Sequence, residues 1–409
     1  MSESLRFYAT CPRGLEQLLA EELQGIGALL VSQTGGGVQF TGDAALGMAA
    51  NLYSRFASRI LCELTTGAYR DENDLYRLAN SVDWSRWHDA HATIRIDVTA
   101  TRSPLQSLHF AMQRIKDGLV DRHREESGER PSIDTRRPDR RIFAHLDAQQ
   151  CTLYLDWSGE SLFKRGWRRE GFEAPLKENL AAGLLWLAGW RPGEPLFDPF
   201  CGSGTIAIEA ADIASGRPPG ARRHFAFERM RPFDRPLWAE LRQEALASTP
   251  GFAVPTPIFA SDISAAAIAA ARINLAAAQL PEDAIELRQL DVLHRDRAPA
   301  DHGHLVANPP YGERLELGGR QSLAQADQFW PAFARLLKQH FTGWNVHLFT
   351  NDPALPKRMR LAETRRTPLF NGAIECRLFR FEIYAGSRAK PPKPIAEPET
   401  VAPPPNPSF

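Results

Sequence analysis

The sequence has few cysteines, no excess of either charge and no long apolar run, and each of these absences excludes a class of protein. Its five cysteines stand far apart without a CxxC pair, which argues against a disulfide scaffold or a structural zinc site and fits a reducing cytosol. No stretch approaches the roughly 18 apolar residues that cross a bilayer. The amino terminus does not resemble a signal peptide. We therefore expect a cytoplasmic protein with no membrane partner and no bound metal.

Lysine is also scarce: the chain has 7 lysines and 42 arginines. Together these positive charges equal the 49 acidic residues. A net charge of zero gives no global positive field of the kind that attracts nucleic acid. The basic residues are nevertheless clustered, which leaves two interpretations open: solvated faces, or contacts to RNA or DNA phosphates. They form three groups: Arg136, Arg137, Arg140 and Arg141 in a polar stretch that reads as an exposed loop; Lys164, Arg165, Arg168 and Arg169; and Lys357, Arg358, Arg360, Arg365 and Arg366.

The composition, 43% hydrophobic and 24% charged, is typical of a soluble globular protein, and 409 residues are enough for about two to four domains. Residues 1–55 read as a small α+β domain and residues 56–160 as a second α+β unit. In residues 161–386 strands alternate with helices, which favours an α/β domain with a mostly parallel sheet. Residues 387–409 contain eight prolines, and we expect them to form a disordered tail.

The first motif with chemical content is a strand, a glycine turn and a helix in direct succession. An apolar strand ends at Asp198, and a predicted helix over 205–214 follows the turn. A turn of this kind forms the crevice at the carboxyl end of a doubly wound sheet, where nucleotide-like ligands bind against the backbone. The turn lacks the lysine of a P-loop and the third glycine of a dinucleotide fold. The residues we assign to this ligand site are Asp198, Pro199, Phe200, Cys201, Gly202, Ser203 and Gly204.

Two further acidic residues end the next two predicted strands. Asp262 stands 64 residues after Asp198, so an insertion must separate the two strands. Its carboxylate is suited to accept hydrogen bonds from both hydroxyls of a ribose, although a simple helix cap fits the local sequence equally well. Asp291 could meet an adenine amino group. We include the following residues, Ile263 and Val292, in the same ligand site.

The most specific motif is Asn308-Pro309-Pro310-Tyr311, at the end of a predicted apolar strand. The two prolines fix the backbone and prevent the strand from continuing. The Asn308 side-chain carbonyl and the Pro309 main-chain carbonyl can then accept both hydrogens of a planar amino group. Tyr311 offers a face on which a base taken out of its helix can stack. These four residues are the predicted catalytic site.

With these motifs, the chain resembles the THUMP-domain class I RNA methyltransferases, in particular the short bacterial forms of the large-subunit (23S) ribosomal RNA guanine-N2 methyltransferases. The resemblance implies a ferredoxin-like domain at 1–55, a THUMP domain at 56–160 and, at 161–386, a Rossmann-like catalytic domain with a mostly parallel seven-stranded sheet. The matching stretches outside the motifs above are residues 7–16, 36–40, 101–103, 163–168, 174–179, 225–228 and 371–376.

The resemblance also implies S-adenosyl-L-methionine as the cofactor and an exocyclic amine of RNA as the acceptor. Residues 198–204 would hold the methionine part, Asp262 the ribose, Asp291 the adenine and residues 308–311 the target base. The family's long form carries a second domain that methylates guanine N7, and we expect that activity to be absent here. The expected partner is large-subunit ribosomal RNA or an assembly intermediate, with transfer RNA as the second choice.

Other functions remain open from the sequence alone. The Asn-Pro-Pro-Tyr motif also serves the N6 amine of adenine in DNA and the side-chain amide of a protein glutamine. The amino-terminal 160 residues favour RNA over both. A different class of function is an inactive RNA-binding factor of ribosome assembly that retains the fold, but the intact glycine turn and Asn308 favour catalysis.

Overall fold

A computed structural model describes residues 3–169, 176–247, 249, 251, 255–309 and 323–384, with the backbone alone for residues 323–327. Pro310, Tyr311 and the predicted tail at 387–409 lie outside the described residues. The helices are α1 (Glu16–Ile26), α2 (Ala44–Tyr53), α3 (Glu72–Asn80), α4 (Leu108–Ser127), α5 (Glu178–Leu187), α6 (Thr205–Ala214), α7 (Arg235–Ala247), α8 (Ala265–Ala277), α9 (Leu323–His340) and α10 (Leu355–Met359).

Two seven-stranded sheets organise the chain. The strands are β1 (Leu5–Thr10), β2 (Leu29–Thr34), β3 (Gly37–Gly42), β4 (Arg59–Ala68), β5 (Ile94–Ala100), β6 (Arg140–Leu146), β7 (Gln150–Asp156), β8 (Leu196–Asp198), β9 (Ile258–Asp262), β10 (Glu286–Gln289), β11 (Gly303–Ala307), β12 (Trp344–Thr350), β13 (Arg365–Asn371) and β14 (Ile374–Glu382). The first sheet has the order β2-β3-β1-β4-β7-β6-β5, and the second has the order β10-β9-β8-β11-β12-β14-β13.

The first sheet is continuous across the two amino-terminal segments that the sequence separates. β1 pairs with β4 in antiparallel register, with Phe7 opposite Cys62, so one sheet spans residues 5–156. Two strands were missed, β2 and β6. The first two residues of β6 lie in the stretch that the sequence predicted to be an exposed loop. Its side chains alternate between buried and half-buried positions from Arg140 to Leu146, which is the period of a strand with one face in the core.

The second sheet has the arrangement of a doubly wound α/β domain. β10, β9, β8, β11 and β12 are mutually parallel, and β14 pairs antiparallel with both β12 and β13. β8 lies between β9 and β11, so the chain reverses its direction of winding at β8. The sheet confirms the predicted fold class, and helix α6 has the predicted bounds of 205–214.

Side-chain hydrogen bonds help to position the helices of this domain. The apolar helix α5 is buried along most of its length, and the Asn179 side-chain amide donates to the Phe56 carbonyl at 3.1 Å. Helix α8 begins after Ser264, whose hydroxyl accepts the Ala267 N–H at 3.3 Å. Helix α7 belongs to the long segment between β8 and β9 and was not predicted. Across the described residues, no helix combines the length and apolarity that crossing a membrane requires.

Buried ion pairs join the two sheets. Arg55, between α2 and β4, donates to Asp212 at 3.1 Å, and Arg165 donates to Glu209 at 3.1 Å. Both acidic residues lie on α6, the helix that follows the glycine turn, and the Glu209 side chain is fully buried. Each charge needs its partner because an unpaired ion in a buried environment is strongly destabilising.

Replacing Arg165 with methionine should therefore lower the free energy of unfolding by roughly 3 kcal/mol, because buried Glu209 keeps only the longer contact to Arg55 at 3.4 Å and the Leu162 and Arg55 carbonyls lose a donor. Denaturant unfolding measures the effect. The matched control is Arg169→Met, four residues along the same segment, whose side chain is exposed. Equal stability of the Arg165 variant and the wild type would contradict the role of this ion pair.

Candidate functional site

Four parallel strands bring the predicted site residues to one edge of the second sheet. Asp198 is the last residue of β8 and Asp262 the last of β9. Asp291 follows β10 by two residues, and Asn308 directly follows β11. The carboxyl ends of parallel strands lie at the same edge, so these residues face one crevice at the point where the winding reverses.

The glycine turn after β8 is tied to the end of β9 by hydrogen bonds. The Cys201 N–H donates to the Ser261 carbonyl at 3.0 Å, and the Gly202 N–H donates to Oδ2 of Asp262 at 3.0 Å. Gly202 has φ of +52°, and a Cβ atom at this position would meet no atom within 4 Å. The turn therefore presents open backbone next to an acidic side chain, as a bound ligand requires.

Asp198 lies beneath this turn and is 1% exposed. Its Oδ1 accepts the Phe200 N–H at 3.1 Å. Burial, assisted by the nearby Asp262 charge, raises the pKa of Asp198 to about 8. Without a ligand, this carboxyl group therefore holds its proton at neutral pH, and a cationic ligand group beside it would favour the charged form.

The structure contradicts one of the two interpretations of Asp262, the helix cap. The N-cap of α8 is Ser264, two residues later. Asp262 Oδ1 accepts the Ser264 N–H at 2.9 Å, so the carboxylate bridges the start of α8 and the glycine turn. The helix-cap interpretation was therefore wrong. Each carboxylate oxygen has a second acceptor site for a ligand hydroxyl.

The three predicted cofactor residues that remain on this side, Ile263, Asp291 and Val292, differ in their surroundings. Ile263 is 60% exposed, so its side chain is accessible to an apolar ligand face. Val292 is 3% exposed and packs in the core of the second sheet. Asp291 caps the short turn over 292–294 by accepting the Leu293 N–H at 3.0 Å.

On the other side of β8, Asn308 has an unsatisfied acceptor. Its side-chain carbonyl oxygen is buried and accepts no hydrogen bond from the described residues. A buried oxygen without a donor is costly in a folded protein, and it marks a place where a ligand N–H can supply the missing bond. Pro309 is buried beside it. Phe200, in the glycine turn, packs on Phe333 with ring centroids 5.5 Å apart.

The basic groups divide between the structure and the surface: Arg140, Arg141, Arg165 and Arg168 have structural partners, and the other nine members are exposed. Arg140 is 6% exposed and donates to the main-chain carbonyls of Asp139 and Arg229, which corrects its placement in an exposed loop. Arg141 pairs with Asp97 at 3.2 Å. The exposed members are Arg136, Arg137, Lys164, Arg169, Lys357, Arg358, Arg360, Arg365 and Arg366, among which Lys164, Arg358 and Arg366 pair with Glu160, Asp352 and Glu363.

In the second basic group, Arg165 and Arg168 contact α6 and the glycine turn, and this structural role was not predicted. Arg165 pairs with α6, and Arg168 donates to Ser203 and Thr205, on either side of Gly204. Asn274 on α8 was also missed, and its side-chain amide donates to the Ser203 carbonyl at 3.1 Å. Within the described part of the chain, His, Cys, Asp and Glu side chains form no group of three that could hold a metal.

Comparison with known families gives three adjacent matches. A family model described as "RMKL-like, methyltransferase domain" matches residues 165–380. A THUMP domain model matches residues 69–156, and a model of the RlmL ferredoxin-like domain matches residues 6–61. These matches confirm the family resemblance read from the sequence.

Individual relatives agree with the family models. A Synechocystis sp. protein with the provisional name RNA methyltransferase slr0064 is 37% identical over 92% of this chain and 97% of its own length. Ribosomal RNA large subunit methyltransferase K/L of Desulfotalea psychrophila is 40% identical over 91% of this chain and 52% of its own. The chain therefore spans about half the length of the K/L relatives it matches.

Two solved structures share the whole architecture. SMU.472, provisionally named a methyltransferase and complexed with SAH, has a TM-score of 0.82 at 27% identity, covering 95% of this chain and 100% of its own. A Listeria monocytogenes protein named as a predicted N6-adenine-specific DNA methylase has a TM-score of 0.82 at 29% identity, covering 93% and 97%. Of these two names, only the second gives a substrate.

The pKa of Asp198 predicts how stability depends on pH. The folded protein keeps the Asp198 proton up to about pH 8, whereas the unfolded chain loses it near the ordinary value of 3.8. The contribution of this group to the free energy of unfolding therefore falls as pH rises between these values. Asp198→Asn cannot titrate, so the stability of this variant relative to the wild type should increase from pH 5 to pH 8.

Thermal unfolding of the ligand-free protein across this pH range measures the effect. The control is Asp283→Asn, at an exposed position of the short turn before β10, which should follow the wild type at each pH. A constant difference between Asp198→Asn and the wild type would show that Asp198 is already ionised in the folded protein.

Proposed function

Since the chain belongs to the RMKL-like methyltransferase family, we propose that it transfers a methyl group from S-adenosylmethionine to the exocyclic N2 amine of a guanosine in large-subunit ribosomal RNA. The single observation that carries the proposal is the crevice itself. On one side of β8 it has the open backbone of Gly202 and the carboxylate of Asp262, which is suited to bind a ribose. On the other side it has the Asn308 side-chain oxygen, which accepts no hydrogen bond from the described residues.

The first half of the crevice fits the cofactor. SMU.472 shares the fold and was solved with SAH, the product that remains when S-adenosylmethionine gives up its methyl group. In this chain, Asp262 offers acceptors for the ribose hydroxyls, and Ile263 offers an exposed apolar surface for the adenine. Gly202 leaves room for the methionine part, and the raised pKa of Asp198 fits a carboxyl group that becomes charged beside the cofactor's ammonium group.

The second half of the crevice fits a planar amine. An exocyclic –NH2 group has two hydrogens to donate. The Asn308 side-chain oxygen accepts no hydrogen bond from the described residues, so it can accept one of them. Hydrogen bonds from the amine to this oxygen and to the Pro309 carbonyl would hold the nitrogen in line with the cofactor. When bound, S-adenosylmethionine supplies an electrophilic methyl carbon on a sulfonium, and the residues contribute mainly position and exclusion of water.

RNA is favoured as the substrate by the half of the chain that precedes the catalytic domain. A THUMP domain model matches residues 69–156, and the K/L relatives are named for ribosomal RNA. Exposed arginines at 136 and 137 lie on this half, and the third basic group lies beside the second sheet. Cations at these positions are suited to phosphate contacts that position an RNA without reading its sequence.

The experiment that tests the proposal uses methyl-labelled S-adenosylmethionine with separate pools of large-subunit ribosomal RNA, transfer RNA and DNA. We expect labelled N2-methylguanosine from ribosomal RNA. The same nucleoside from transfer RNA alone would change the proposed substrate RNA but leave the proposed reaction intact. Label only as N6-methyladenosine would overturn the choice of base, and failure to bind SAH would favour an inactive RNA-binding factor.

The role of Asn308 gives a kinetic prediction. Asn308→Ala should lower turnover on the order of 100-fold, because it removes a contact to the reacting amine, while the affinity for SAH stays unchanged. Calorimetry with SAH and turnover on the accepted RNA measure the two effects separately. The control is Asn345→Ala, at the amino end of β12 on the opposite edge of the sheet, which should leave both quantities as in the wild type. A parallel loss of SAH affinity in Asn308→Ala would place this residue in the cofactor site.

A further inference from the structure

Arg168 reaches from the segment after β7 into the glycine turn. Its guanidinium group donates from all three nitrogens. Two of the four acceptors lie at or directly before the start of α5 and two lie in and directly after the glycine turn. The contacts are Nε to Glu178 Oε1 at 2.9 Å, Nη1 to Ser203 Oγ at 3.2 Å, Nη2 to the Leu176 carbonyl at 3.1 Å and Nη2 to Thr205 Oγ1 at 3.0 Å. A planar fork with five N–H donors is suited to such a set.

These contacts fix the turn immediately beside its tightest residue. Ser203 and Thr205 flank Gly204, which has φ of +86° and starts α6. A Cβ atom on Gly204 would lie 3.1 Å from Ile208 and 3.2 Å from Ala271, so the turn is already packed against two helices. The turn can therefore move little without breaking the hydrogen bonds to Arg168.

A second link joins the same segment to the turn through α8. The Asn274 side chain accepts the Arg169 N–H at 2.8 Å and donates to the Ser203 carbonyl at 3.1 Å. Ser203 is thus held at its hydroxyl by Arg168 and at its carbonyl by Asn274. The open face of Gly202, one residue earlier, is left free on the crevice side.

The charge of Arg168 is neutralised inside the protein and is not presented to a ligand. Its partner Glu178 has a side chain that is only 5% exposed, and the guanidinium also lies 5.1 Å from the Trp167 ring centroid. Arg168 therefore acts on the crevice through Ser203 and Thr205. A turn that is ordered in advance loses less entropy when a ligand binds to its backbone.

We propose that Arg168 is a positioning residue that holds the glycine turn in its ligand-binding shape, so that it sets the affinity for the cofactor more than the rate of methyl transfer. This inference rests on the proposed function, because it takes residues 198–204 as the cofactor site. It assigns a role in cofactor binding to the segment that connects the two sheets.

The test compares Arg168→Lys with Arg169→Lys in the full chain. Lysine keeps a cation near Glu178 but cannot reproduce the fork, so the turn loses hydrogen bonds without leaving a buried carboxylate alone. For Arg168→Lys, the Kd for SAH and the KM for S-adenosylmethionine should rise by about 10-fold, as for loss of one or two hydrogen bonds to a charged group. The kcat at saturating cofactor should change far less. Arg169 has an exposed side chain, and its variant should match the wild type.

A second variant separates positioning of the turn from general stability. Ser203→Ala combined with Thr205→Val removes the two acceptors in the turn but keeps the Arg168–Glu178 ion pair. The proposal expects a similar loss of SAH affinity, with the kcat again little changed. If Arg168→Lys weakens SAH binding and the double variant does not, Arg168 supports the fold only and the proposal is overturned.

The remaining outcomes are also distinct. Wild-type affinity for SAH in Arg168→Lys would overturn the proposal and leave the proposed function intact. A fall in kcat without a rise in KM would also overturn it, because the residue would then act on the transfer step. Failure of the wild type itself to bind SAH would overturn the proposed function, and this inference with it.

Discussion

The hydrogen bond from the Gly202 N–H to the Asp262 carboxylate joins the ends of β8 and β9, and the shape of the site depends on it. It sets the glycine turn against the acidic residue of the next strand. The same carboxylate accepts the Ser264 N–H, so one side chain joins the turn, the strand end and the start of α8. A ligand that spans the two strand ends therefore meets acceptors and open backbone in a fixed relation.

The amino-terminal half is fastened to this unit by charge. Arg55 and Arg165 reach the buried acids of α6, and Arg168 reaches the turn where that helix begins. Gly14, in the loop before α1, adds a close approach, because a Cβ atom there would lie 2.7 Å from the Pro368 carbonyl. The two sheets consequently hold a defined orientation, which an enzyme needs if one half binds a large substrate and the other carries out the chemistry.

The sequence was sufficient for features whose cause is local. Two apolar strands end in Asp198 and Asp262, Asn308 directly follows a third, and the glycine turn leads into α6 at the predicted residue. These elements depend on period, turn residues and backbone restriction, all of which are legible in a short window. The strand beginning at Arg140 was missed because polar turn residues precede it and its register is fixed by pairing with β5 and β7.

The contacts made by individual charges could not be predicted, because they join residues far apart in the chain. Arg165 and Arg168 stand in a basic group that resembles a surface patch, yet their partners are a buried Glu209 and a turn about 35 residues later. Asn274 gave no signal at all, since an asparagine within an alanine-rich helix has no local pattern. Burial alone separates such residues from the exposed Arg136 and Arg137.

The most direct test of this account is a crystal structure of the protein with SAH. We expect that the ribose hydroxyls contact the Asp262 carboxylate and that the amino-acid part lies along the glycine turn at Gly202, with the sulfur directed toward Asn308. SAH bound elsewhere, or bound at this edge without contact to Asp262 and Gly202, would contradict it.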